Sequence, residues 1–195
     1  MSLERTLSKR STVELTDPRA LRALAHPVRL TLVSLLRREG PLTATQAGDR
    51  IGESATTCSF HLRQLARYGL VEEAGGGRGR ERPWRATATA TSWPSVAETP
   101  EQAAASELLS SIVAGRYHER TLRWLAERAD DTTEWQEASQ FGDDVLYVTA
   151  EELQELGRGI DALVEPLLAR QQRRDLRPKG AREVMLIRLA FPTRP

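Results

Sequence analysis

The chain is poor in the residues that cross-link a protein or hold it in a membrane. It carries one cysteine, Cys58, so no internal disulfide can form, and a reducing compartment suits it. No apolar run approaches the roughly 20 residues that cross a bilayer. The opening stretch MSLERTLSKRSTVELTD has no apolar centre of the kind a signal peptide needs, so a cytoplasmic location, with no membrane partner, is expected. Lysine is nearly missing: apart from Lys9 and Lys179, all 28 basic residues are arginine, a bias that GC-rich bacterial coding produces. Catalytic signatures are scarce too. No glycine-rich phosphate loop links a strand to a helix, and no nucleophile elbow appears. The carboxylates of Asp143–Asp144 and Glu151–Glu152 are adjacent rather than across a cleft, which suits turns and helix starts better than paired acid–base work. The expectation is a non-enzyme without a cofactor.

What is present is ordinary globular material, 39% hydrophobic and 28% charged over 195 residues, enough for one large domain or two small ones. The net charge of +1 hides a split. Residues 1–90 hold 15 basic against 9 acidic side chains, a net of +6, while residues 91–195 hold 13 against 18, a net of −5. A basic half joined to an acidic half fits a polyanion-binding module fused to an assembly or sensing module.

Local signals order the first half. Asp17-Pro18 starts a short helix with Leu21 and Leu24 on one side. Pro27 opens a second, PVRLTLVSLLRREG, whose Val28, Leu32, Leu35 and Leu36 fall at helical spacing and whose end is Gly40. Thr43 caps a third, ATQAGDRIG, with Ala47 and Ile51 inward and Gly52 closing it. After the three-residue turn GES comes a fourth, from about Ala55 to Tyr68. LVEEA and RPWRAT then read as short strands around GGGRGRE, whose glycines permit a hairpin tip. Two helices joined by so short a turn are a helix-turn-helix.

On a helical wheel, residues 55–68 divide. Cys58, Leu62 and Leu65 cluster on one side, and Thr56, Ser59, Phe60, Arg63, Gln64 and Arg67 on the other, with Thr57, His61 and Tyr68 at the boundary. Cys58 reads as a small core residue rather than a metal ligand, because no second cysteine or nearby histidine completes a set with His61. The polar side suits a nucleic-acid groove. Ser54 and the threonines let the helix start approach a phosphate, while Arg63 and Gln64 carry the paired donors and acceptors that distinguish guanine and adenine. Phe60 suits a thymine methyl, or else packs against the hairpin or the neighbouring helix. His61 is either a boundary hydrogen-bonder or a base reader. Arg78, Arg80 and Arg82, on the glycine-rich hairpin, suit phosphates or a narrow minor groove.

The run ALRALAHPVRLTLVSLLRREGPLTATQAGDRIGESATTCSFHLRQLARYGLVEE resembles the winged helix-turn-helix of ArsR-type bacterial transcriptional regulators. The resemblance lies in LAHPVRL, in the S-x-x-T-x-S-x-H-L-x-x-L helix and in GLVEE leading into the wing, and it covers residues 18–87. It implies DNA contacts at Thr56, Thr57, Ser59, Phe60, His61 and Arg63, with wing contacts at Arg78 and Arg80. Phe60 departs from the pattern, since many relatives have arginine or lysine there. The third helix also lacks the cysteines of the metal-sensing members, and His118 is the one histidine after the recognition helix. The resemblance therefore implies a regulator and does not imply a metal sensor.

Beyond the Thr/Ala/Ser/Pro stretch ATATATSWPSVAE, Thr99-Pro100 with Gln102 starts a long helix to about Ala129, striped by Leu108, Ile112, Leu122 and Leu125. So long a helix points to burial by a partner. DVLYV reads as a strand, TAEE as a capping box for a helix carrying Leu153, Leu156, Ile160, Leu163 and Leu167, and REVMLIRLAF as a final strand in parallel with the first. Trp135, Phe141 and Tyr147 are either core or the lining of a pocket for a small apolar effector. The expected fold is mainly α with small β: an N-terminal arm (1–17), a winged helix-turn-helix (18–90) and a C-terminal α+β dimerisation or effector domain (91–195) built of long helices and a two-stranded element. The expected function is a dimeric, sequence-specific DNA-binding regulator, more a repressor than an activator, on a pseudo-palindromic duplex operator. The rival is a winged-helix module that docks a protein.

Overall fold

A computed structural model describes residues 11–76 and 82–193, with Gln172 described by its backbone alone. The described chain runs β1 (Thr12–Glu14), α1 (Pro18–Leu24), α2 (Pro27–Glu39), α3 (Ala44–Ile51), α4 (Ala55–Ala66), β2 (Val71–Glu73), β3 (Trp84–Ala86), β4 (Ala90–Ser92), α5 (Pro100–Glu127), α6 (Thr133–Ala138) and α7 (Ala150–Gln172). Single 3₁₀ turns follow α5 and α7.

The helix starts obey their caps. The Asp17 carboxylate accepts the Arg19 N–H at 2.8 Å ahead of α1, and Thr43 with Gln46 closes a reciprocal capping box on α3. Along the first four helices the apolar stripes converge on one core. Leu21, Leu24, Leu32, Leu35, Leu36, Ala47, Cys58, Leu62 and Leu65 are all buried in it, as their spacing requires, and Val28 and Ile51 pack at its margin.

Between α3 and α4 the chain turns within three residues. The amides of Gly52 and Glu53 both donate to the Gly48 carbonyl, at 2.9 and 3.1 Å, and Gly52 takes a left-handed φ of 74°. That closure brings the Glu53 carbonyl onto Gly48, where a Cβ would collide with it. Glycine in mid-helix normally costs about 1 kcal/mol relative to alanine; here it lets α4 cross close to α3.

β2 and β3 form the antiparallel hairpin foreseen after α4, with Val71 opposite Ala86, Glu72 opposite Arg85 and Glu73 opposite Trp84. Leu42 exchanges both backbone hydrogen bonds with Trp84, at 2.8 and 3.0 Å, which ties the α2–α3 link to the hairpin. Gly75 and Gly76 take positive φ where the chain heads into the tip. A second pairing was not foreseen: β1 lies parallel to β4, Thr12 opposite Ala90 and Glu14 opposite Ser92. It joins the N-terminal arm to the stretch that reads as a linker.

α5 docks on α1 through its first third. Gln102 is buried there; its amide nitrogen donates to the Thr16 carbonyl at 2.9 Å, and its amide oxygen accepts the Glu98 N–H at 2.7 Å. The side chain thus reaches one residue further back than a capping box does. Ala105 and Leu109 are buried beside it, whereas the later stripe positions Leu108 and Leu122 are exposed.

The mainly helical fold with a small β component is as expected, but the two C-terminal strands are not there. Residues 144–148 and 182–191 run as unpaired chain, and among the described residues neither stretch makes a backbone–backbone hydrogen bond. Among the described residues no parallel crossover forms, and the two-stranded element expected in 91–195 is not seen. Both stretches have strong strand composition, but a strand forms only where a neighbour accepts its backbone groups. The paired strands belong instead to the first half of the molecule.

Candidate nucleic-acid interface

Ser54 caps α4: its hydroxyl oxygen accepts the Thr57 N–H at 3.0 Å and lies 2.8 Å from the Thr57 hydroxyl. Both hydroxyls are therefore engaged at the helix start, with Ser54 exposed and Thr57 half-buried. Downstream, Thr56, Phe60, Arg63 and Arg67 are exposed, and Ser59 and Gln64 half-buried, along one face, opposite buried Cys58, Leu62 and Leu65. The side chains of Arg63, Gln64 and Arg67 make no hydrogen bond or ion pair among the described residues. Phe60 is 51% exposed in mid-face and touches the His61 ring edge-on. Among the described residues this face thus offers the Thr56 hydroxyl, one aromatic ring, a half-buried amide and two guanidinium groups without a partner.

Of the two expectations for His61, burial favours the boundary position over base reading. It is buried, its ring 4.7 Å from that of His26, which stands at the N-terminal end of α2 without a side-chain cap bond. The boundary position on the wheel resolves inward because His26 and Arg29 of α2 come up against it. Nδ1 of each histidine is buried without a hydrogen-bond partner among the described residues. Burial lowers both imidazole pKa values below 6.5; Arg29 pushes both further down, His26 adds to the effect on His61, and Glu53 partly opposes it. The pair is thus kept neutral. In the unfolded chain each histidine takes up a proton as the pH falls below 6.5, while the folded state resists it, so folding stability is full above that pH and declines toward the lowered folded values. The midpoint of thermal unfolding should hold steady from pH 8 to 7 and fall between pH 6.5 and 5, and less so in His61→Asn.

The wing stands beside α4. Arg82 pairs with Glu73 at 3.2 Å and Arg85 with Glu72 at 2.7 Å, all four side chains largely exposed. Exposed pairs of this kind are worth about 0–1 kcal/mol, so a phosphate can take either arginine at little cost. Arg78 and Arg80 lie outside the described residues.

Other expectations resolve against a common pocket. Tyr147 is 98% exposed, Phe141 is exposed with its ring 5.9 Å from that of Trp124, and Trp135 lies beneath the Arg182 guanidinium at 4.8 Å. The three aromatics do not gather into one cavity. Two open clefts among the described residues have other walls: about 310 Å³ beside Arg37, Arg38, Arg85 and Arg174, and about 380 Å³ beside Thr12, Ala90, Asp161 and Leu168. Among the described residues no three His, Cys, Asp or Glu side chains gather as for a metal ion, and burial raises the Cys58 thiol pKa, away from a ligating thiolate. Among the described residues no helix is long and apolar enough to cross a membrane. Sequence reasoning missed the His26–His61 contact, the Leu42–Trp84 bridge and the bond from Gln102 to Thr16, each of which joins separate elements and leaves no local pattern.

Residues 24–74 match a family described as a helix-turn-helix domain. Among solved structures, the transcriptional repressor BigR of Xylella fastidiosa is 27% identical over 49% of this chain and 82% of its own, with a TM-score of 0.31. The PcaV transcriptional regulator of Streptomyces coelicolor, in complex with its natural ligand, is 17% identical over 71% and 76%, with a TM-score of 0.32. Apo MarR of E. coli is 13% identical over 76% and 88%, also at 0.32. Among curated proteins none matches the chain.

Proposed function

We propose that this protein is a DNA-binding transcriptional regulator of the ArsR-like winged-helix kind, that it acts as a homodimer on a pseudo-palindromic operator, and that it represses. The observation that carries the reading is the exposed face of α4, with Thr56, Ser59, Phe60, Arg63, Gln64 and Arg67 outward beside a basic wing. Its 12 residues are long enough to lie in a major groove, where Arg63 and Gln64 would meet base edges and Ser54, Thr56 and the wing arginines phosphates. The lopsided charge supports the same reading: the half with α4 and the wing is net positive, the half beyond it net negative.

Two substitutions separate base reading from phosphate attraction. Arg63→Ala should cost about 1–3 kcal/mol on the best duplex and relax preference at one base pair. Arg80→Ala should weaken all duplexes alike and flatten the salt dependence by about one counterion. Fluorescence anisotropy with a selected and a scrambled duplex reads both; equal loss on every duplex for Arg63→Ala counts against its role. A module that docks a protein instead would bind DNA weakly, with little response to salt. The half-exposed Phe60 favours that alternative, being the one apolar group at the centre of the face.

A further inference from the structure

We propose that residues 144–148 and 182–191 are the two halves of a β-element exchanged between copies, so that each segment pairs, in parallel, with the other segment of a second copy of this chain. The inference rests on the dimeric reading above and gives that dimer a specific construction.

Area argues that the C-terminal half is not finished in one copy. The chain exposes 14752 Å². A compact monomer of 21.8 kDa should expose about 9,300 Å². The seventeen residues outside the described set would, fully extended, supply about 2,700 Å² of the difference. About 2,800 Å² per chain is left over, or roughly 5,600 Å² for a pair, at the upper end of what obligate homodimers bury.

The excess sits where the strand-like segments are. Val145, Leu146, Tyr147 and Val148 are all exposed, and so are Val184, Met185, Leu186, Leu189 and Phe191. In both runs, neighbouring residues are apolar, so both faces of each segment call for cover. Apolarity on both faces marks a strand in the interior of a parallel sheet, whereas a solvated edge alternates. The exposed Leu156, Leu163 and Leu167 of α7, the helix between the segments, offer that cover.

The 182–191 segment is nonetheless held in place. Arg182 pairs with Asp131, Glu183 with Arg38 at 3.2 Å and Arg188 with Asp161 at 2.8 Å. Its charged side chains are anchored to three parts of its own chain while its apolar ones and its backbone stay open. This is a template awaiting a strand. Complementary composition lies in the same sequence, joined by a helix of the length a parallel crossover uses, yet within one copy the pairing is not made. Exchange of an identical element satisfies it from a second copy and closes with two-fold symmetry.

Hydrogen–deuterium exchange on the full chain, without DNA, tests the proposal. In a dimer established by light scattering, the amides that face the partner strand, every second one of 144–148 and of the five or so residues of 182–191 opposite them, should exchange at least about 100-fold more slowly than free peptide. Because the native Cys58 is buried, introduced thiols then report the pairing. Leu146→Cys mixed with Leu186→Cys or Ile187→Cys, which take the two faces of the segment, should give a covalent dimer on mild oxidation. A monomer, a dimer with fast-exchanging segments, a mixture that does not cross-link, or a Leu146→Cys/Leu186→Cys chain that bridges only within itself would each overturn it. A dimer that passes these tests yet ignores DNA sinks the regulator reading and leaves the exchange standing.

Discussion

Gly48→Ala is expected to destabilise the protein, while Gly115→Ala, also in mid-helix, leaves stability unchanged or raises it. On helix propensity alone both substitutions should gain about 1 kcal/mol. The surroundings decide otherwise at Gly48, where the new methyl meets the Glu53 carbonyl, a backbone atom that cannot rotate away. The added Cβ at Gly115 meets nothing within 4 Å. Forcing extra volume into so tight a contact costs about 1–3 kcal/mol, and it does so by prising α4 from α3. Gly48→Ala should therefore also weaken DNA binding, with no groove-facing residue altered. Thermal unfolding monitored by circular dichroism distinguishes the pair; equal shifts in the two variants would mean that the helix-turn-helix is looser than the structure has it.

The second large effect concerns charge. The double variant Arg63→Glu/Arg67→Glu should abolish operator binding and leave folding intact. Both guanidinium groups are exposed, and neither has a partner among the described residues, so the fold loses nothing with them. Removal of one bidentate base contact costs about 1–3 kcal/mol. Reversing two charges in a groove of phosphates, on both copies of the proposed dimer, should exceed 10³-fold in affinity, on the order of 4 kcal/mol. Unchanged unfolding together with unchanged DNA affinity would remove α4 from the interface.

Much of this was legible because it is written locally. Caps at Asp17, Thr43, Thr99 and Thr149, and a wheel that separates Cys58, Leu62 and Leu65 from Arg63 and Gln64, need only residues three or four apart. His61 was not, because the wheel leaves it at the boundary and only the neighbouring ring of His26 turns it inward. The β1–β4 pairing escaped for a related reason: its strands are three residues each, too short for periodicity to register, and about eighty residues separate them. The C-terminal strands failed in the opposite sense. VLYV and VMLIRLAF carry strand composition as clearly as any stretch of the chain, but composition does not say whose backbone will answer them. The aromatics Trp135, Phe141 and Tyr147 likewise suit an interior that one copy does not provide.

The central claim is that the outward face of α4 enters a DNA groove, and a photo-crosslink from the middle of that face tests it most directly. With p-benzoylphenylalanine replacing Phe60, irradiation of the protein on duplex fragments selected from genomic DNA should join position 60 to a base, and added salt should suppress the product together with binding. Adducts confined to protein, formed equally well without DNA, would contradict the account.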